Sequence, residues 1–219
     1  MAIEIALFPL NAVLFPHMPM ALHIFEERYR VMLRDCRESG TTFGVVGIRQ
    51  GSEVGYGAEP YRVGTLAQLE EIDELPDGRY NIVVEGASRF RVDSFRLERA
   101  YLTGTVTYLE DAPASHHGTA LAATVRSQFL EYLTRVRALS RQDDEQEHEE
   151  LDLPDEPELL SYLVAAALQV RNDERQQLLE MNAADARLRA CHTLLRRELV
   201  VLEHMLGRAA TPVATFSPN

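Results

Sequence analysis

Histidine and carboxylate clusters are the residues of this 219-residue chain that could hold a metal ion. His148 and Glu149 match the first two positions of an H-E-x-x-H zinc motif, but Asp152 stands where the second histidine is required. His116 and His117 are adjacent in a predicted linker, where we expect exposure to solvent. We therefore predict no metal site.

Acid–base and nucleophilic catalysis need paired groups that this sequence does not supply. Neighbouring acids such as Glu70 and Glu71 point to opposite faces of a strand, and no G-x-S-x-G motif is present. All 22 basic residues are arginine. Without lysine there is no P-loop lysine, no Ser-Lys dyad and no Schiff base. We predict no catalytic residue, no cofactor and no enzymatic activity.

An apolar, proline-rich segment at residues 8–25 (FPLNAVLFPHMPMALHIF) is the strongest candidate for binding. Its prolines keep it from entering a sheet completely, and methionine adapts to varied partners. The predicted peptide-binding residues are Phe15, Pro16, Met18, Pro19 and Met20. The alternative is that Phe8, Leu10, Phe15 and Phe25 fill a hydrophobic core.

The net charge of −12 is concentrated in one segment. Residues 143–158 hold ten carboxylates and no arginine, and the rest of the chain has 22 arginines against 24 acids. Self-repulsion predicts that this segment is a solvated linker. Residues 1–112 carry 11 arginines against 17 acids, so we expect no nucleic-acid partner.

Membrane insertion and secretion are not expected either. No apolar run approaches the roughly 20 residues that span a bilayer, and the N-terminus has no basic leader or cleavage site. Cys36 and Cys191 lie far apart in helical patterns, and we predict that both are buried thiols. The expected location is the cytoplasm.

A β-hairpin is predicted between Tyr61 and Val92. Two alternating apolar runs flank Pro76-Asp77-Gly78, a typical tight turn. Glu85-Gly86-Ala87 interrupts the alternation and predicts a bulge. Beyond it Arg89 and Arg91 alternate with Phe90, so we expect both arginines to be solvated on the face opposite Phe90.

The remaining elements follow from periodicity. A helix is predicted from Glu26 to Arg37, closed by Ser39-Gly40. A linker at 112–118 precedes four predicted helices. Pro157 begins the second of these, Asn182 with Asp185 predicts a capping box for the last, and Gly207 ends it.

Several phrases of the sequence resemble the N-terminal domain of the Lon (La) ATP-dependent proteases. They are VGT, LPDG and VEG in the hairpin, LFPL near the start, FPHM in the proline-rich segment and FEERY before the first helix. The resemblance covers roughly residues 5–206. It implies an α+β fold with an N-terminal PUA-like twisted β-barrel containing one helix (1–112), followed by a C-terminal helical bundle (119–207) with the acidic linker at 143–158.

The same resemblance implies non-catalytic recognition of unfolded or hydrophobic polypeptide segments, in connection with a protease or chaperone system. Because the last helix is capped, we expect a stand-alone module. An adaptor that docks one dedicated folded partner is the alternative. An RNA-binding role rests on the PUA-like barrel alone, and the acidic excess argues against it. The oligomeric state stays open.

Overall fold

The computed structural model describes residues 3–53, 55, 57–139 and 152–209, which form six strands and five helices. In chain order these are β1 (Ile3–Leu10), β2 (Pro19–Ile24), α1 (Glu27–Ser39), β3 (Phe43–Gln50), β4 (Glu59–Glu74), β5 (Tyr80–Arg96), β6 (Thr103–Tyr108), α2 (His116–Leu139), α3 (Pro157–Ala167), α4 (Asn172–Glu180) and α5 (Ala184–Ala209).

The sheet has the order β2-β5-β4-β3-β1-β6, and β6 also pairs with β5. β1 and β3 are parallel, and the other pairs are antiparallel. The first part of the long strand β5 pairs with β2, while its last part pairs with β6. The pairings therefore join β1, β3, β4, β5 and β6 in a ring, and β2 lies outside it as an edge strand.

The β4–β5 hairpin has the predicted turn and bulge. Gly78 donates its backbone N–H to the carbonyl of Leu75 at 2.8 Å and has φ +78°, which glycine accepts without strain. Ala67 pairs with Gly86 and Thr65 pairs with Arg89, so β5 has one extra residue between these pairs. Both predictions are confirmed.

Helix α1 covers one face of the sheet. Tyr29, Met32, Leu33 and Cys36 are buried on a single side of it, as the spacing predicts. Gly40 ends the helix in the left-handed conformation (φ +63°) and donates its N–H to the carbonyl of Arg37. Local sequence signals were sufficient to predict the buried face of α1 and the residue that ends it.

Helices α2 to α5 share a second apolar cluster, with α3 at its centre. Four apolar side chains of α3 are almost fully inaccessible: Leu160, Tyr162, Val164 and Ala165. Pro157 begins this helix, as predicted, and Glu156 stands before it in an extended conformation without a side-chain cap hydrogen bond. Cys191 of α5 and Cys36 of α1 are both buried thiols, which confirms that prediction.

Three boundary predictions for the helices were wrong. Ser115 Oγ accepts from the N–H of Gly118, so α2 begins at His116 within the predicted linker. Asn182 and Asp185 do not form the predicted capping box, because their side chains bind Arg89 and Ser115 instead. Helix α5 continues past Gly207 to Ala209, since a helix tolerates one glycine at a cost of about 1 kcal/mol.

Part of the acidic segment packs against the protein. Residues 143–151, including His148, lie outside the described residues. Leu153 is buried, and Arg126 of α2 donates to the carbonyl oxygens of Leu153 (2.8 Å) and Pro154 (2.6 Å). Arg126 also pairs with Asp155 at 3.0 Å. The described end of the segment is thus held by α2 through Leu153 and backbone carbonyls, while the acids Asp152, Asp155 and Glu156 are exposed to solvent.

Candidate functional site

Strand β2 leaves one of its two edges open. Among the described strands, it pairs with β5 alone. The N–H of Gly86 in β5 donates to the carbonyl of Met18 at 3.0 Å, just before β2 begins. Because bonded pairs alternate along an antiparallel ladder, Met20 and Leu22 direct their backbone groups to β5. Pro19, Ala21 and His23 direct theirs to the open side.

We call residues Met18–Phe25 the β2 edge. Met20 and Leu22 are half-buried and pack on the core beneath α1. Pro19, Ala21 and His23 are exposed on the other face. The open side therefore offers two backbone donors, since proline has none, and three carbonyl acceptors. An extended polypeptide could pair with these groups as an added strand.

Phe25 extends the exposed apolar surface of the β2 edge. It is 50% exposed and its ring stacks on His23 with 6.0 Å between centroids. The alternative that Phe25 fills the core was wrong, whereas Phe8 and Leu10 do lie in the core. The sequence contained a signal for the exposure of Phe25. Side chains alternate between the two faces of a strand, so residue 25 lies on the same face as the exposed residues 19, 21 and 23.

Phe15 and Pro16 lie inside the protein. Phe15 is 1% exposed and belongs to the helical cluster, not to the core beneath α1. Its ring is 6.3 Å from that of Tyr162, and the Arg175 guanidinium lies 5.8 Å from its centroid. These two predicted residues cannot contact a ligand at the surface in this conformation, but they anchor the segment that leads into β2.

A tight turn connects this anchor to the β2 edge. Met18 donates its N–H to the carbonyl of Phe15 at 3.2 Å, with Pro16 and His17 between them. His17 has φ +62°, and proline followed by a positive φ fits a type II turn. The turn carries Met18 back out to a half-buried position against the helical cluster. The five predicted residues are thus one segment with a buried and an accessible end.

Gly86 allows this segment to approach β5. A Cβ atom built on Gly86 would lie 2.8 Å from the carbonyl carbon of Phe15 and closer still to its oxygen. His17 donates its N–H to the carbonyl of Gly86 at 2.7 Å. The glycine in the VEG phrase is therefore needed for close backbone approach, in addition to its place beside the bulge.

Arg89 holds the strands and the helices together. Its side chain is 1% exposed, and the prediction of a solvated charge was wrong. The pairing of Thr65 with Arg89 places both on the sheet face that the helices cover. Arg89 Nη1 donates to the carbonyl oxygens of Leu179 (2.7 Å) and Met181 (3.1 Å). Arg91 lies beyond the covered area and is exposed.

A second buried arginine completes this junction. Arg187 Nη1 donates to the carbonyl of Met181 at 2.8 Å, and its guanidinium lies 3.6 Å from the centroid of the Tyr162 ring. Tyr162 donates its hydroxyl to Asp111 Oδ2 at 2.6 Å. Burial raises the pKa of Tyr162 and lowers the pKa of Arg187. The junction supports the anchored segment, since Phe15 packs beside Tyr162.

Two structural features bear on metal binding and on membrane insertion. Among the described residues, no group of three or more histidine, cysteine or acidic side chains is placed to bind a metal ion. Within the same residues, no helix has the length and apolar character needed to cross a membrane.

Comparison with known proteins gives a consistent match. Residues 4–197 match the family model described as ATP-dependent protease La (LON) substrate-binding domain. The chain is 30% identical over 194 residues to the Lon protease of Desulfovibrio desulfuricans, covering 87% of this chain and 22% of that protein. The chain thus spans about a quarter of the length of the curated relatives it matches.

Solved structures match over almost the whole chain. A Lon N-terminal domain protein from Xanthomonas campestris has a TM-score of 0.62 and 25% identity, covering 96% of this chain and 99% of that one. The N-terminal domain of a Mycobacterium avium complex Lon protease has a TM-score of 0.65 and 19% identity, with coverage of 88% and 98%. The second likeness shows the fold alone.

Proposed function

Because the chain belongs to the family of ATP-dependent protease La (LON) substrate-binding domains, we propose that it is a non-catalytic module that recognises unfolded or hydrophobic polypeptide segments. The observation that carries this proposal is the open side of β2 beside partly exposed apolar side chains. Its partners would be unfolded substrates of a protease or chaperone system.

The mechanism is strand addition at the β2 edge. An extended segment would accept hydrogen bonds from the N–H groups of Ala21 and His23 and would donate to the carbonyls facing the same side. Its apolar side chains would contact Met18, Met20 and Phe25. Main-chain pairing tolerates many sequences, and Met side chains adapt to different shapes. Affinity would be on the order of micromolar, since a disordered ligand is ordered on binding.

The structural setting of this activity would be a PUA-like barrel, residues 1–112, joined to a helical bundle, residues 119–207. The ring of five strands supports a barrel of this kind. The 17 acids against 11 arginines in residues 1–112 support a partner other than nucleic acid. Two cysteines that remain thiols support a cytoplasmic location.

An adaptor for one folded partner is the second candidate function. It is favoured by the exposed apolar side chains near the end of α5, namely Val200 (54%), Val201 (45%) and Met205 (53%). An adaptor would retain one stoichiometric partner in a pull-down from cell extract. A module for unfolded polypeptides would retain a heterogeneous set.

Calorimetric titration tests the leading proposal. The protein is titrated with a permanently unfolded model protein and, separately, with its native counterpart, at low and moderate salt. We expect binding to the unfolded form alone, with little effect of salt, because apolar contacts and backbone pairing dominate. Binding to neither form would overturn the proposal, and the adaptor would then be pursued.

A further inference from the structure

A cleft of about 770 Å³ opens at one end of the strand ring. It lies where β4 begins, where β5 ends and where the 97–102 connection approaches α1. We infer that this cleft binds an apolar side chain of a polypeptide segment whose flanking residues are acidic. The inference rests on the proposed function and names a class of substrate for the same module.

Four aromatic side chains line the cleft. Tyr29 and Tyr101 form its floor and are 3% and 4% exposed. Tyr61 and Phe95 are half-buried along its sides. Leu97 at the mouth is 78% exposed, the largest exposure among the large hydrophobic residues that the structure describes. A concave aromatic surface with an exposed leucine at its opening is suited to an apolar side chain.

The charged residues of the cleft are almost all cationic. Four arginines line it in the described part of the chain, together with one acid, Glu59: they are Arg28, Arg49, Arg62 and Arg99. This balance is opposite to that of residues 1–112 as a whole, which have 11 arginines and 17 acids. A local positive field in an acidic protein favours an anionic ligand at this position.

Two of the arginines are positioned by the aromatic walls. The guanidinium of Arg62 lies 5.6 Å from the centroid of Phe95, and that of Arg99 lies 5.9 Å from the centroid of Tyr101. Stacking of this kind holds a cation beside an apolar surface at little cost in hydration. Apolar contact and carboxylate binding are thereby offered within the same cleft.

Arg62 has the least neutralised charge of the four. Arg49 pairs with Glu59, Arg99 lies 3.7 Å from Asp35, and Arg28 pairs with Glu26. Arg62 forms no ion pair with any described residue, and its Nη1 atom donates to the carbonyl oxygens of Val92 and Asp93, each at 3.0 Å. Its exposed position leaves the guanidinium accessible to a carboxylate of a ligand.

Matched peptides test the inference. A short fluorescent peptide with a central Leu-Phe pair flanked by Asp and Glu is titrated against the full chain by anisotropy, beside the same peptide with Asn and Gln flanks. We expect the acidic peptide to bind more tightly and to weaken as salt rises, because exposed charges are screened. Arg62→Gln should weaken its binding about threefold to fivefold and Leu97→Ser about tenfold.

Arg91→Gln is the matched control, since Arg91 of β5 is exposed like Arg62 of β4 but is not among the residues that line the cleft. Its binding of the acidic peptide should equal that of the unaltered chain. A photo-crosslinking residue in place of the peptide phenylalanine gives an independent readout on the unaltered protein. Crosslinks should fall within residues 57–62 and 95–102.

The outcomes separate this inference from the proposed function. Equal binding of both peptides, or crosslinks confined to residues 18–25, would overturn the cleft assignment while recognition of the unfolded protein stands. Selective binding of the acidic peptide without binding of the unfolded protein would support the assignment of the cleft as a peptide site. It would overturn the proposal that the protein recognises unfolded polypeptides in general. Failure of both peptides and of the unfolded protein would overturn both.

Discussion

Arg89 Nη2 lies 2.6 Å from Asp111 Oδ1, which joins β5 to the segment that leads into α2. The other oxygen of the same carboxylate accepts the hydroxyl of Tyr162 on α3 at 2.6 Å. One carboxylate therefore connects the sheet with the centre of the helical cluster. Phe15 packs beside Tyr162, so this junction also supports the segment that presents the β2 edge.

Loss of the Arg89 side chain should destabilise the protein strongly. Arg89→Ala removes the donor to Asp111 Oδ1, to the Leu179 carbonyl and to Asn182 Oδ1, and one of the two donors to the Met181 carbonyl. We expect a loss of about 3 kcal/mol in the free energy of unfolding, as is usual when one partner of a buried ion pair is removed. Urea unfolding measures this loss. Arg91→Ala, on the same strand but exposed, should change stability by less than about 0.5 kcal/mol. Equal effects of the two variants would contradict the assigned role of Arg89.

A methyl group at Gly86 should displace the anchored segment. Gly86→Ala brings Cβ against the carbonyl of Phe15, and because backbone cannot yield cheaply we expect a loss of about 2 kcal/mol. Binding of unfolded protein should weaken as well, since the turn at Pro16 positions the β2 edge. Gly207→Ala is the control: nothing lies near its added Cβ, and alanine in a helix should be neutral or stabilise by up to about 1 kcal/mol. A stable Gly86→Ala variant with unchanged binding would count against this arrangement.

Proline scanning of β2 should distinguish its two edges. Ala21→Pro removes an N–H that faces the open side, so we expect folding to be retained and binding of the unfolded protein to fall about threefold to tenfold. Leu22→Pro removes an N–H that pairs with Ile82 of β5, and it should lower the urea midpoint instead. Calorimetry and urea unfolding on both variants provide the measurements. Unaltered binding by Ala21→Pro would exclude strand addition at this edge.

Stability should fall in alkaline solution through Cys191. Burial raises the pKa of its thiol from 9.0 to about 12, so the folded state keeps a proton that the unfolded state releases above pH 9. The unfolded state then binds fewer protons, and stability decreases with rising pH by about 1.4 kcal/mol per pH unit across that window. Cys191→Ala should remove the contribution of this one proton and so make the dependence of stability on pH shallower by about 1.4 kcal/mol per pH unit. Urea unfolding at a series of pH values measures the slope. An unchanged slope would refute the assignment to Cys191.

Local features were predictable because their causes lie within a few residues. The turn at Pro76-Asp77-Gly78 needs only proline, aspartate and glycine in that order, and the α1 face needs only helical spacing. The phrases that resemble the Lon family were also local, and the family model, which matches residues 4–197, confirms the resemblance. The candidate binding segment at residues 15–20 stays a prediction, and its division into a buried and an accessible end was not visible in the sequence.

The amino-acid sequence by itself determined the hairpin, its bulge, the helix faces and the family. Only the tertiary structure decided that Phe15 is buried while Phe25 is exposed, and that Arg89 is enclosed while Arg91 remains in solvent. Strand alternation assigns each side chain to a face, but whether that face is covered depends on helices roughly 90 residues further along the chain. Burial of a charged or aromatic residue is a property of such long-range contacts, and periodicity carries no information about them.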